Sequence, residues 1–349
     1  MSKAFDRQCA ASGNAISVIS FTNQNPRIMK KLVYALFGLL LIIVAAISYI
    51  SLVLPNVGRA PDLHVAMTPE KIEHGRYLSW HVMMCADCHS QRDFSLFSGP
   101  PYPGTEFVGG DVFDESLGLP GKFVSGNITP AGIGEYTDGE LFRVLTTGVT
   151  RDRKPLFPIM PYLNFGQLDA EDIKAVIAYL RTLEAVDAVH PPSEVGFPFS
   201  LILRTIPKKA NLQDRPAITN RIAYGEYVYT AASCGDCHTM MEKGRFVGPE
   251  AGGGREFVFP DGRIVRAPNL TPHPTGIVYL NRNAFIHRFT MYAQEDYILP
   301  AVGPDEFQTI MPWHMYAKMT DDDLGAIHDF LSSLEPYENL VERFSLAGN

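Results

Sequence analysis

Cysteine is scarce. The 349-residue chain has five, and four of them fall in two C-x-x-C pairs, Cys85/Cys88 and Cys234/Cys237. The count therefore indicates no disulfide scaffold. A net basic balance is also missing from most of the chain. Residues 1–54 carry five cations and one anion, so of the total charge of −8 the remainder carries −12. An acidic body of that kind excludes nucleic acid as a partner, because phosphates require a basic face. It suits a domain that meets a basic patch on another protein. Sustained strand alternation is lacking, and with it the βαβ context that a redox dithiol of the thioredoxin kind needs. Nothing in the chain offers a signalling output.

Against these absences stands one uninterrupted uncharged run, Leu32 to Leu54. At about 1.5 Å per residue it is long enough for a hydrocarbon core of roughly 30 Å. Arg27, Lys30 and Lys31 precede it, and no cation follows until Arg59. The positive-inside rule then places the N-terminus in the cytoplasm and the rest outside, as a single-pass protein of a bacterial inner membrane with its body on the periplasmic side. A cleaved signal peptide is the competing reading, but the run is long for one and no clear A-x-A site ends it. Residues 1–31 read as a cytoplasmic leader in which Met29-Lys30-Lys31 resembles a natural translation start. Cys9 lies in that leader and is assigned no role.

The remainder repeats itself. A shift of about 150 residues lays Gly75-Arg76-Tyr77-Leu78 on Gly225-Glu226-Tyr227-Val228, and Cys85-Ala86-Asp87-Cys88-His89 on Cys234-Gly235-Asp236-Cys237-His238. It also lays Asn127-Ile128-Thr129-Pro130 on Asn269-Leu270-Thr271-Pro272, and Pro158-Ile159-Met160-Pro161-Tyr162 on Thr309-Ile310-Met311-Pro312-Trp313. The preserved order predicts two copies of one all-α domain, at 62–185 and 217–340, joined by a Pro-rich linker at 186–216. Each copy opens and closes on a helical pattern. Thr68 reads as the N-cap of the first helix. Asp169 and Thr320 read as caps of the last helices, whose apolar faces are Ile173, Val176, Ile177, Leu180 and Leu183, and Leu324, Ile327, Leu331 and Leu334. Tyr77 and Tyr227 are expected to pack on their own copy's last helix, at Tyr179 and Phe330. His64, His74 and His81 read as surface or internally satisfied histidines.

The two C-x-x-C-H motifs carry the chemistry. Two thiols on one helical turn can each add to one vinyl group of a single haem, and the next residue places an imidazole under the iron. Cys85, Cys88, Cys234 and Cys237 are thus the expected covalent anchors of two haem c groups, and His89 and His238 their proximal ligands. A zinc site built from the four thiolates is the alternative, but it would draw ligands from both copies and leave both histidines unexplained. The sixth ligand is expected to be Met160 in the first copy, 71 residues after His89. Its equivalent is Met311, 73 residues after His238. In the second copy Met240, Met241, Met291, Met315, Met319, His273 and His287 compete on composition, and repeat equivalence selects Met311. His/Met ligation closes the iron to substrates and suits electron transfer. Asn127 and Asn269 are weaker candidates, either for a haem propionate or for turn structure, with the turn ranked first.

With these motifs placed, the chain resembles the cytochrome c subunits of bacterial membrane alcohol and aldehyde dehydrogenases. The resemblance runs from about Thr68 to Glu335, through Cys85–His89, Gly109-Gly110, Asn127–Pro130, Pro158–Tyr162, the linker Gly196-Phe197-Pro198-Phe199, and the second set at Cys234–His238, Asn269–Pro272 and Ile310–Trp313. It implies class I cytochrome c domains with no catalytic activity of their own. Such domains take electrons from a dehydrogenase subunit and pass them to a cytochrome, an oxidase or a quinone site. Members often carry three haems, whereas two motifs occur here. The alternative function is a haem enzyme, such as a dihaem peroxidase or a thiosulfate-oxidising cytochrome, which needs an open or unusual axial position.

Overall fold

The computed structural model describes residues 26–346. Cys9 and the leader as far as residue 25 lie outside the described residues. The chain forms two compact units, one ending at Tyr49 and the other beginning at Ile50.

The first unit is built on α1, Pro26–Leu52, in which no side chain is buried. Proline at the first position costs nothing, because that N–H has no helical partner. The most apolar stretch of eighteen residues has a mean hydropathy of 2.6. This helix is long and apolar enough to cross a bilayer. It begins ahead of the expected span at residue 32 and ends two residues before Leu54.

The second unit holds both of the stretches that match in sequence, called its two copies below. Its first half contains α2 (Pro69–Tyr77), a wide π-helical turn at Leu78–Val82, α3 (Cys85–Cys88), the paired strands β1 (Val112–Phe113) and β2 (Phe123–Val124), α4 (Pro130–Ile133), α5 (Asp138–Thr147), α6 (Tyr162–Phe165) and α7 (Ala170–Leu180). The linker holds one short helix, α8 (Phe199–Leu203). The second half contains α9 (Arg221–Ala231), α10 (Cys234–His238), the hairpin of β3 (Met241–Glu242) and β4 (Arg245–Phe246), β5 (Glu256–Val258), β6 (Arg263–Arg266), α11 (Arg282–Thr290), α12 (Trp313–Tyr316), α13 (Asp321–Ser333) and β7 (Phe344–Leu346). β5, β6 and β7 form a small antiparallel sheet with β6 in the middle. Helices supply much of the core, and loop and strand residues such as Phe107, Phe113, Phe123 and Val265 are buried as well. The short ladders were not expected from an all-α reading, because strands of two to four residues leave no alternation to detect.

Capping follows the sequence. The Thr68 hydroxyl accepts the Lys71 N–H at 3.3 Å, the Asp169 carboxylate accepts Glu171 N–H at 2.8 Å, and the Thr320 hydroxyl accepts Asp323 N–H at 3.1 Å. The predicted faces of α7 and α13 are buried at Ile173, Val176, Ile177 and Leu180 and at Leu324, Ile327 and Leu331. Burial of each such side chain contributes roughly 1.5–3 kcal/mol relative to exposure. In both halves the opening helix crosses the closing helix at a glycine. A Cβ on Gly75 would overlap the carbonyl of Ala175, and one on Gly225 would overlap the carbonyl of Ala326. Only glycine permits an approach this close.

The tyrosines depart from expectation. Tyr77 donates to Asp323 at 2.5 Å and Tyr227 donates to Asp172 at 2.5 Å, so each reaches the other copy's closing helix. Their hydroxyls also accept from the N-terminal ends of those helices, at Thr320 N–H and Asp169 N–H. The places beside Tyr179 and Phe330 are taken by Trp80 with Phe107 and by Tyr229. Repeat equivalence cannot show which copy a partner belongs to. Of the three histidines, His64 is exposed, His74 pairs with Asp172 at 2.7 Å, and His81 bonds the Met315 carbonyl.

Candidate functional site

Each C-x-x-C-H motif occupies one helical turn that begins after a left-handed residue, Met84 (φ 44°) or Ser233 (φ 54°). That residue breaks the preceding helix and turns the motif across its end. One helical turn places the two sulfurs of each pair on a common side, the arrangement that two vinyl groups of one porphyrin demand.

The histidines are oriented by backbone. His89 Nδ1 lies 2.7 Å from the carbonyl oxygen of Gly126, and His238 Nδ1 lies 3.0 Å from that of Pro268. A carbonyl can only accept, so each Nδ1 carries the proton and each Nε2 keeps its lone pair. This is the tautomer that an iron ligand requires. Burial holds both imidazoles below their usual range, His238 at about 4, so they are neutral near pH 7.

A glycine pair in each copy brings that carbonyl within reach. Gly109 N–H donates to the His89 carbonyl and Gly253 N–H to the His238 carbonyl, both at 2.7 Å. Both glycines are left-handed, at φ +82° and +75°, and a Cβ would strike the backbone at Gly126 in one case and at Pro268-Asn269 in the other. Gly109-Gly110 was visible in the sequence. Its counterpart Gly253-Gly254 stands equally plainly in the sequence but went unpaired with it, whereas the two orienting carbonyls could not be read, because a backbone acceptor leaves no residue signature.

The four cysteines are free and partly covered. Desolvation pushes their thiols up, to about 12 for Cys85, Cys88 and Cys234 and about 11 for Cys237. Thiols raised in this way are protonated near pH 7 and are not activated nucleophiles. Among the described residues no group of three or more His, Cys, Asp or Glu side chains could hold a metal ion. The alternative of zinc held by all four thiolates therefore has no geometry to support it.

Met160 and Met311 sit in matching turns. Tyr162 N–H donates back to the Met160 carbonyl and Trp313 N–H to the Met311 carbonyl, both at 2.8 Å. The prolines between them have φ −79°, ψ 47° and φ −81°, ψ 68°. These are inverse γ-turns, which proline's fixed φ favours. Both methionines are half-buried against the core.

Asn127 and Asn269 organise loops. Oδ1 of Asn127 accepts the Thr129 N–H and hydroxyl, at 2.9 and 2.7 Å, and its Nδ2 donates to the Val186 carbonyl. Asn269 repeats the pattern with Thr271 and the Tyr337 carbonyl. Each side chain thus ties its turn to the segment that follows the closing helix.

The residues present fit a covalent haem in each copy: paired sulfurs on a turn, an imidazole with a bare Nε2, and a methionine in a fixed turn. Comparison with characterised proteins bears on that fit. The cytochrome c subunit of alcohol dehydrogenase (quinone) from Gluconacetobacter polyoxogenes is 28% identical over 303 residues, covering 80% of this chain and 58% of that protein. The chain is homologous to cytochrome c subunits. A diheme cytochrome c-type protein of Cereibacter sphaeroides is 28% identical over 250 residues, covering 67% of this chain and 78% of the relative. The fructose dehydrogenase cytochrome subunit of Gluconobacter japonicus is 32% identical over 181 residues, 48% of this chain and 34% of that subunit. The chain thus spans little more than half the length of the alcohol dehydrogenase subunit. No family model matches. These relatives support an electron-transfer cytochrome carrying haem c, and a haem enzyme is not favoured.

Proposed function

We propose that the chain is a membrane-anchored dihaem cytochrome c that passes single electrons from a dehydrogenase towards the respiratory chain. Cys85 and Cys88 anchor one haem and Cys234 and Cys237 the other. His89 with Met160, and His238 with Met311, are the axial pairs, within domains at 62–185 and 217–340. The apolar run 32–54 holds the protein in the inner membrane, with both domains on the periplasmic side.

The observation that carries this reading is the duplicated imidazole geometry, in which His89 and His238 each give Nδ1 to a backbone carbonyl. A bound haem supplies an iron that gains and loses one electron. The protein's part is to hold the imidazole in one tautomer and orientation, to hold the methionine in a fixed turn, and to keep water from the cofactor. A closed pair of axial positions limits rearrangement on electron transfer and raises the potential relative to two histidines. The names of the relatives supply the dehydrogenase as donor; a cytochrome, an oxidase or a quinone site is the acceptor.

The test is the mass and spectrum of the full chain produced with a cytochrome c maturation system. The expected product is heavier than the polypeptide by two haems and membrane-bound, and its oxidised spectrum shows Met-to-iron charge transfer. A colourless protein with the mass of the bare chain would overturn the proposal.

A further inference from the structure

We infer that the first copy positions the axial methionine of the second, with Ser98, held by Gln308, as the positioning residue for Met311. The inference rests on the reading of Met311 as an iron ligand.

Residues 93–98 follow the first haem-attachment motif and lie against the second copy. Phe97 N–H donates to the Pro300 carbonyl at 2.9 Å and Val302 N–H to the Ser95 carbonyl at 2.8 Å, so the segment is paired to the chain leading towards Met311. Gln308 fastens it. This side chain is fully buried, and its amide is completely used. Oε1 accepts from Ser98 N–H at 2.8 Å and Thr309 N–H at 2.9 Å, and Nε2 donates to the carbonyls of Phe94 and Leu96, both at 2.9 Å.

Ser98 is thereby set at 2% exposure, with its hydroxyl 2.6 Å from the Met311 carbonyl. The same oxygen accepts Trp313 N–H at 3.0 Å, so it closes the Met311-Pro312-Trp313 turn from both ends. Thr309 holds the other side, accepting the Met311 N–H on its hydroxyl at 3.0 Å. Both polar groups of the Met311 backbone are therefore anchored by side-chain hydroxyls, one of them from the other copy.

The arrangement is one-sided. The Met160 carbonyl accepts only Tyr162 N–H, its N–H goes to the Phe157 carbonyl at 3.3 Å, and no side chain of the second copy bonds residues 157–161 among the described residues. Residue 158, the counterpart of Thr309, is a proline. One ligand turn is self-supporting and the other is clamped. Partners of a metal ligand set its position and the ease with which it leaves the metal.

The test uses the full-length, haem-loaded protein. Ser98 has φ +70°, a conformation that glycine adopts freely, so Ser98→Gly removes the hydroxyl without strain. Thr309→Val is a second, nearly isosteric loss. The readouts are the Met-to-iron charge-transfer band, the two reduction potentials, and the rate at which added imidazole displaces methionine from each ferric centre. Met160→Ala and Met311→Ala assign the centres. The expected result in both variants is displacement faster by on the order of fivefold at the Met311 centre alone, the factor that one hydrogen bond represents. Equal change at both centres, or lowered stability with unchanged displacement, would show a structural role only and overturn the inference. If Met311→Ala in an otherwise unchanged protein alters neither centre, the ligand assignment beneath the inference is overturned instead.

Discussion

The hydroxyl of Tyr77 lies 2.5 Å from the carboxylate of Asp323, 246 residues along the chain, and Tyr227 repeats the contact with Asp172. Each tyrosine leaves the opening helix of its own copy and closes on the start of the other copy's last helix. The two contacts form a reciprocal latch. The carboxylates differ in their second partner, which is Tyr224 for Asp323 and His74 for Asp172. Burial raises both phenols far above their usual range, reinforced by the facing carboxylates, so they remain donors throughout the accessible pH range.

Tyr77→Phe and Tyr227→Phe are each expected to cost about 1–3 kcal/mol, because a buried carboxylate loses a donor. Urea denaturation of the haem-loaded protein measures this. A loss confined to one half of a biphasic transition would contradict a latch that joins both copies.

The Asp172 side of the latch gives stability a pH dependence. Burial pushes this carboxyl up, but hydrogen bonds from His74 and Tyr227 and the charge of Arg215 outweigh it and hold it below the usual range. The unfolded chain then takes up the proton first as pH falls. The stabilisation is complete above the unfolded carboxylate value of about 4 and is lost as pH drops through the lower folded value. Melting temperatures recorded between pH 6 and pH 3 should fall steeply at the acid end, and Asp172→Asn should flatten that limb.

The helix crossings are tested by adding one carbon. Gly75→Ala and Gly225→Ala should each destabilise by about 1–3 kcal/mol despite alanine's better helix propensity, because the facing backbone must move. Gly196→Ala, in the linker with open space around its Cβ direction, should lie within about 0.5 kcal/mol of wild type. Thermal unfolding of the three variants side by side decides.

Ligation is separable from attachment. Met160→Ala should leave both haems covalently bound while one reduction potential falls, since loss of the thioether removes the ligand that raises it. The double change Cys234→Ala with Cys237→Ala should give a protein lighter by one haem, with the first centre's spectrum retained. Mass spectrometry and a redox titration check both.

What could be read from the sequence was local or duplicated. The C-x-x-C-H turns, the I-M-P turns, the caps Thr68, Asp169 and Thr320, and the faces of α7 and α13 each depend on residues within a few positions of one another. The matching stretch repeats these patterns except the Thr68 cap, since α9 starts at Asn220 with no side-chain cap. The cross-copy contacts were not legible, for a physical reason. Two equivalent surfaces look the same in sequence whether a side chain serves its own copy or the other, as Tyr77 and Tyr227 demonstrate. The carbonyls of Gly126 and Pro268 were hidden because every residue has one. Gln308 falls opposite Phe157 and Ser98 lies outside the matched stretches, so alignment of the two copies gave no reason to notice them.

The wide turn at Leu78–Val82 explains a small irregularity in spacing. Gly75 and Gly225 are 150 positions apart, yet Cys85 and Cys234 are 149 apart, so the earlier copy is longer by one residue between them. In an unbroken α-helix that surplus would rotate everything upstream by about 100°, carrying Gly75 off its crossing and Tyr77 away from its carboxylate. The π turn absorbs it within five residues, whereas α9 remains α-helical as far as Ala231. Duplicated halves can therefore drift in length at this bend while the groups on either side keep their angular phase.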